Sequence, residues 1–96
     1  MPGLIYEKYY TASADKLRKR FPWADEAIEA IEWELLRATD MSRYPLIRNG
    51  PPEVRYLKTR PARGHPGLVA VFSLEQIGGE KKAVLRELFE ADPDKE

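Results

Sequence analysis

The sequence predicts a single α+β domain over residues 1–96, ordered β-α-α-β-β-β, with two N-terminal helices packed on one face of a small antiparallel sheet. Three observations predict it. Ala24, Ala27, Ile28, Ile31, Leu35 and Ala38 fall on one stripe at 3.6-residue spacing, with Asp25, Glu26, Glu29, Glu32 and Arg37 off it, which is an amphipathic helix over Trp23–Ala38. Leu68–Leu74 carries large or branched residues on both faces, as a strand buried on both sides near the middle of a sheet does. Gly78-Gly79 is a tight turn, and a buried strand before it needs a neighbour that a hairpin supplies.

Taken in order, Leu4–Tyr10 is short and rich in aromatic and branched residues, which predicts the first strand. Thr11 and Ser13 offer hydroxyl caps, and Ala14, Leu17 and Phe21 recur at i, i+3, i+7, so a helix is expected from about Ser13 to Phe21. Its outer face carries Lys16, Arg18, Lys19 and Arg20, readable as a solvated face or as a nucleic-acid contact. Pro22 stops this helix and suits the first turn of the next, where acidic residues agree with the helix dipole. Trp33 points almost directly away from the buried stripe, with Leu36 to one side; the pair is either covered by loops or offered to a partner. Asp40–Pro52 reads as a connection, with Tyr44, Leu46 and Ile47 tucking it against the core. Val54–Arg60 is a basic strand, with Tyr56, Lys58 and Arg60 on one face and Arg55, Leu57 and Thr59 on the other. Residues 81–92 are ambiguous: helix propensity and a Val84, Leu85, Leu88, Phe89 grouping favour a helix, while position after Gly78-Gly79 favours a last strand. Residues 92–96 form a polar tail.

Composition narrows the function. The chain has no cysteine, so disulfides, thiolate metal sites and a cysteine nucleophile are excluded. Its apolar runs are far too short for a membrane span and its opening residues form no secretory core, so a soluble cytoplasmic domain is expected. The sixteen basic and sixteen acidic side chains cancel, yet residues 43–63 hold six basic and one acidic, a net +5 between blocks of −2 and −3. Such a block is either a solvated surface or a local anion site, and its position on a strand and turn favours holding the charges together.

A lone histidine, His65, makes no His-rich metal site, and neither a Gly-x-Ser-x-Gly elbow nor a phosphate-cradling glycine loop is present. No metal or cofactor is expected. What remains is metal-free chemistry on a phosphate. Cleaving RNA through its own 2′-hydroxyl needs a proton acceptor, cations for the pentacoordinate phosphate and an acid for the leaving 5′-oxygen. Tyr56, Lys58, Arg60, Arg63 and His65 are residue types for those roles, close together in the chain. Otherwise Lys58 and Arg60 are solvated strand ends and His65 an ordinary loop residue.

The order of elements and several local patterns resemble the RelE/ParE toxin superfamily, in particular its HigB-like branch. The matching stretches are Tyr9-Tyr10-Thr11-Ala12-Ser13-Ala14 with Leu17, the long second helix, a Gly before the strand of alternating basic and apolar residues, the apolar strand Leu68–Leu74, and the ending Ala83-Val84-Leu85-Arg86-Glu87-Leu88-Phe89. The resemblance implies a compact cytoplasmic toxin of a type II toxin-antitoxin system, wrapped by a cognate antitoxin, that cleaves messenger RNA on the ribosome or, in the ParE branch, acts against DNA gyrase. It implies that the functional basic strand is the one carrying Arg55, Tyr56, Lys58 and Arg60; together with the residue chemistry above, the expected catalytic set is Tyr56, Lys58, Arg60 and His65, with Arg55, Arg63 and Arg86 as RNA-binding candidates. Many members begin the next strand with an Arg where this chain has Gly67-Leu68, and end the last strand with a basic residue or tyrosine where this chain has Glu90-Ala91-Asp92; Arg63, His65 or Arg86 would then substitute. The other expectation is a non-catalytic interaction module that binds a protein through Trp33 and Leu36.

Overall fold

The computed structural model describes residues 3–38, 40–60 and 66–91. Strand β1 (Gly3–Tyr6) leads into helices α1 (Lys8–Arg20) and α2 (Ala24–Arg37), and a 3-10 turn at Met41–Arg43 precedes β2 (Leu46–Arg48), β3 (Glu53–Lys58), β4 (Leu68–Ile77) and β5 (Glu80–Glu90). The strands form one five-stranded sheet in the order β1-β5-β4-β3-β2. The α+β class is as expected, with two helices against a small sheet. The expected sheet was wholly antiparallel, whereas β1 runs parallel to β5 and the sheet is mixed. This follows from topology: the two helices carry the chain across one face between β1 and the hairpins, and β5 returns beside β1 in the same direction.

The core lies between the helices and one sheet face. Tyr10, Ala14 and Leu17 of α1 and Ile28, Ile31 and Leu35 of α2 are buried against Leu57, Leu68, Phe72, Leu85 and Leu88. Each large apolar side chain fully withdrawn from water contributes about 1.5–3 kcal/mol. The helices are tied to each other through Glu32, whose carboxylate accepts hydrogen bonds from the hydroxyls of Tyr10 (2.9 Å) and Tyr6 (3.3 Å).

Several boundaries differ from expectation. The first strand ends at Tyr6 and α1 begins at Lys8, because Tyr10, Ala14 and Leu17 share one helical stripe that places Tyr10 in the core. Leu46–Arg48, expected within a connection, pairs with β3 as a fifth, edge strand. Residues 80–90 are a strand, the reading that position favoured. Strand β4 is central, as expected: Leu68, Ala70, Phe72 and Leu74 are buried on its helix side, and of the residues facing the other way Ser73 is fully buried while Val69 and Val71 are half-buried. Among the described residues no helix is long and apolar enough to cross a membrane.

The hairpin between β4 and β5 turns on Gly78 and Gly79, both at positive φ (61° and 82°), the conformation that two-residue hairpin loops require. Within β5 the register shifts opposite Val71 and Phe72, so Arg86 is an extra residue. This bulge resolves a pattern conflict. Leu85 and Leu88 are three apart and would fall on opposite faces of a regular strand; the bulge returns both to the core.

Candidate functional site

Strand β3 is built to carry a charged edge. Its register pairs Arg55 with Phe72 and Leu57 with Ala70 on the helix-covered face, and Tyr56 with Val71 and Lys58 with Val69 on the other, the alternation expected from the sequence. The β2 partner is only three residues long, and the Tyr56 N–H donates to the Pro45 carbonyl just before it (3.1 Å). Beyond Tyr56 the strand is therefore flanked by a groove of about 560 Å³ that opens between its edge, α2 and the turn after the 3-10 segment.

The groove brings together Tyr56, Lys58 and Arg60, three of the four residues expected to be catalytic. The fourth, His65, and the RNA-binding candidate Arg63 lie outside the described residues. Two further residues line it that sequence reasoning did not select: Arg43 from the 3-10 turn and Glu34 from α2. Three basic residues and one acidic residue thus line one groove at the edge of the sheet.

The far wall is held by a compact set of bonds. Asp40 caps the 3-10 turn, accepting from the Ser42 N–H (3.0 Å) and hydroxyl (2.6 Å), and these bonds hold its carboxyl below the usual carboxylate range. The buried Met41 side chain anchors the turn to the core. Tyr44 is buried with its ring edge-on to Phe72, and its hydroxyl donates to Glu34 at 2.7 Å. Burial and the Glu34 carboxylate push that phenol up to about 12, so it stays protonated and keeps Glu34 in place. The Arg43 guanidinium sits 5.4 Å from the centre of the Tyr44 ring, on the groove side of the wall.

The near end is fixed where β3 stops. Thr59 exchanges bonds with Leu68, its N–H donating to the carbonyl (2.8 Å) and its hydroxyl accepting from the N–H (2.7 Å). Gly67 packs so closely on the Thr59 carbonyl that a Cβ there would collide with backbone. Arg60 follows directly and projects from this pinned corner.

The remaining expected RNA contacts are elsewhere. Arg55 lies on the helix-covered face, where it donates to Glu53 (2.6 Å) and to the carbonyls of Tyr44 (2.6 Å) and Ser42 (3.4 Å). It supports the wall from behind and presents no charge to the groove. Arg86 sits on the helix-free face of β5, donating to Ser73 (2.9 Å) and pairing with Glu75 (2.9 Å), outside the groove lining. Trp33 and Leu36 stand exposed on the outward side of α2, at 62% and 41% accessibility.

Arg43 had one signal in the sequence: it opens the basic block. Glu34 had none as a site residue, since a glutamate beside a helix's apolar stripe reads as solvated surface. Only the packing of α2 against the β3 edge gives it a role.

Compared with known proteins, the chain matches no protein-family profile, and no curated protein or solved structure is significantly similar to it. The fold and groove define a small α+β domain with a cationic edge groove.

Proposed function

We propose that this protein is a metal-free endoribonuclease of the RelE/ParE toxin kind, acting on messenger RNA on the ribosome and restrained in the cytoplasm by a cognate antitoxin. The observation that carries the reading is the single groove lined by Arg43, Lys58, Arg60, Tyr56 and Glu34. Three cations around one hollow suit a phosphate whose negative charge grows in the transition state. Glu34 accepts the 2′-hydroxyl proton, Lys58, Arg60 and Arg43 hold the phosphate, and Tyr56 or His65 protonates the leaving 5′-oxygen. Aromatic Tyr56 also offers a stacking surface to an unpaired base. The helix-helix-strand order adds to the resemblance seen in the sequence.

The test is induced expression in a bacterium with primer extension on messages, beside purified protein on single-stranded RNA. Wild type should arrest growth and create new 5′ ends, and Lys58→Ala or Arg60→Ala should lower the cleavage rate by about a hundredfold. Absence of both arrest and new ends rejects the reading. A second reading, a protein-directed ParE-type toxin or non-catalytic module, draws on Arg55 and Arg86 being engaged in internal bonds, which leaves fewer cations for RNA. Growth arrest that persists in the Lys58→Ala and Arg60→Ala variants, without new ends, selects it.

A further inference from the structure

The outward face of α2 is chemically unlike the groove. Residues 24–37 contain five carboxylates and one arginine, a net −4. Three of the carboxylates are engaged: Asp25 with Arg18, Glu32 with Tyr6 and Tyr10, and Glu34 with Tyr44. Glu26 and Glu29 have no hydrogen bond or ion pair among the described residues. They lie two turns and one turn before Trp33, which is 62% exposed and has the Arg37 guanidinium 5.4 Å from its ring centre. Two shallow grooves, about 620 and 580 Å³, run along either side of this ridge. One reaches Ala30 and Ala38, and the other is floored by Leu36.

Trp33 and Leu36 are exposed side by side between two grooves, and tryptophan is among the residues most enriched at the energetic centres of protein interfaces. The i, i+3, i+4 ridge between two grooves is the shape into which a second helix packs. The unpaired carboxylates set the sign of the occupant and repel a nucleic acid.

We propose that the Trp33 face of α2 is a docking surface for a basic amphipathic helix of a partner protein, with apolar side chains seated in the grooves beside Trp33 and lysines or arginines facing Glu26 and Glu29. Trp33, Glu26 and Glu29 lie outside the cationic groove, although the larger of the two grooves beside Trp33 shares Ala30, Glu34 and Arg43 with it, so variants at Trp33, Glu26 and Glu29 test this surface apart from the ribonuclease reading. A second copy of this chain is a poorer occupant, because apposed α2 faces would bring like charges together.

The test uses the full-length protein and two synthetic helical peptides, identical in their leucine stripe, one flanked by lysines and one by glutamates. Trp33 fluorescence should shift on titration with the lysine peptide, and the glutamate peptide should bind at least about tenfold more weakly. Trp33→Ala, followed by calorimetry, and Glu26→Lys with Glu29→Lys should each weaken the lysine peptide by about tenfold or more. No binding of the lysine peptide, equal binding of both, or binding undiminished in these variants overturns the proposal. So does a concentration-dependent dimer in sedimentation that Trp33→Ala abolishes, which would give the face to a second copy.

Discussion

Arg55 is the side chain on which the groove wall most depends, although it never reaches the groove. Only 14% of its side chain is accessible, and it donates to the Glu53 carboxylate and to the carbonyls of Tyr44 and Ser42. Arg55→Ala is expected to destabilise the fold by about 2–3 kcal/mol, read as a lower urea midpoint with an unchanged slope, and to loosen Arg43 along with the turn. Gly67 is constrained differently: a methyl at that position meets the Thr59 carbonyl, so Gly67→Ala should cost about 1–3 kcal/mol in the same assay. Tyr44 adds a pH dependence. A phenol that ionises near 10 in the unfolded chain and near 12 in the folded one contributes stability that is complete below pH 10 and lost as pH rises from 10 to 12. Tyr10 is shifted in the same direction, by burial first and by Glu32 second. Denaturation midpoints followed across that window should fall, and Tyr44→Phe should flatten the fall.

Helix α2 and strand β5 show how far an element follows its own residues. The α2 stripe is strong enough to be read directly, and its buried Ile28, Ile31 and Leu35 anchor the sheet. Ile31→Ala should therefore destabilise by about 2–5 kcal/mol, while Trp33→Ala, on the opposite face, should change stability by no more than about 0.5 kcal/mol. A circular-dichroism melt of the two variants checks the contrast. Strand β5 goes against its helix propensity because it has two strands to pair with, β4 on one side and β1 on the other. Backbone bonds along both edges outweigh a preference worth a few tenths of a kcal/mol per residue. The bulge at Arg86 then lets a helix-like spacing of leucines serve a strand.

Across the whole molecule the neutral total charge is divided by surface. The β3 edge carries Lys58 and Arg60 with Arg43 facing them across the groove, and the outward side of α2 carries the unpaired Glu26 and Glu29. A single-stranded RNA in the groove should bind with a salt dependence set by the phosphates it contacts, and Arg60→Ala should reduce the slope of log affinity against log salt by about 0.7. The same substitution should leave lysine-peptide binding at Trp33 unchanged, since Arg60 lines the cationic groove and neither of the grooves beside Trp33.

The α2 helix, the central apolar strand, the glycine turn and the concentration of positive charge in residues 43–63 are legible in the sequence, because each is a local regularity of spacing or composition. The sequence also placed Tyr56 and Lys58 on one face of β3 by simple alternation. Strand pairing and helix docking settled that residues 80–90 extend, that Leu46–Arg48 closes the sheet edge, that Arg55 turns inward to brace a loop, and that Glu34 and Arg43 line the same groove. Those outcomes depend on strand pairing and helix docking between segments far apart in the chain. No local pattern encodes them, because the free energy that selects them comes from partners that only the folded arrangement brings within reach.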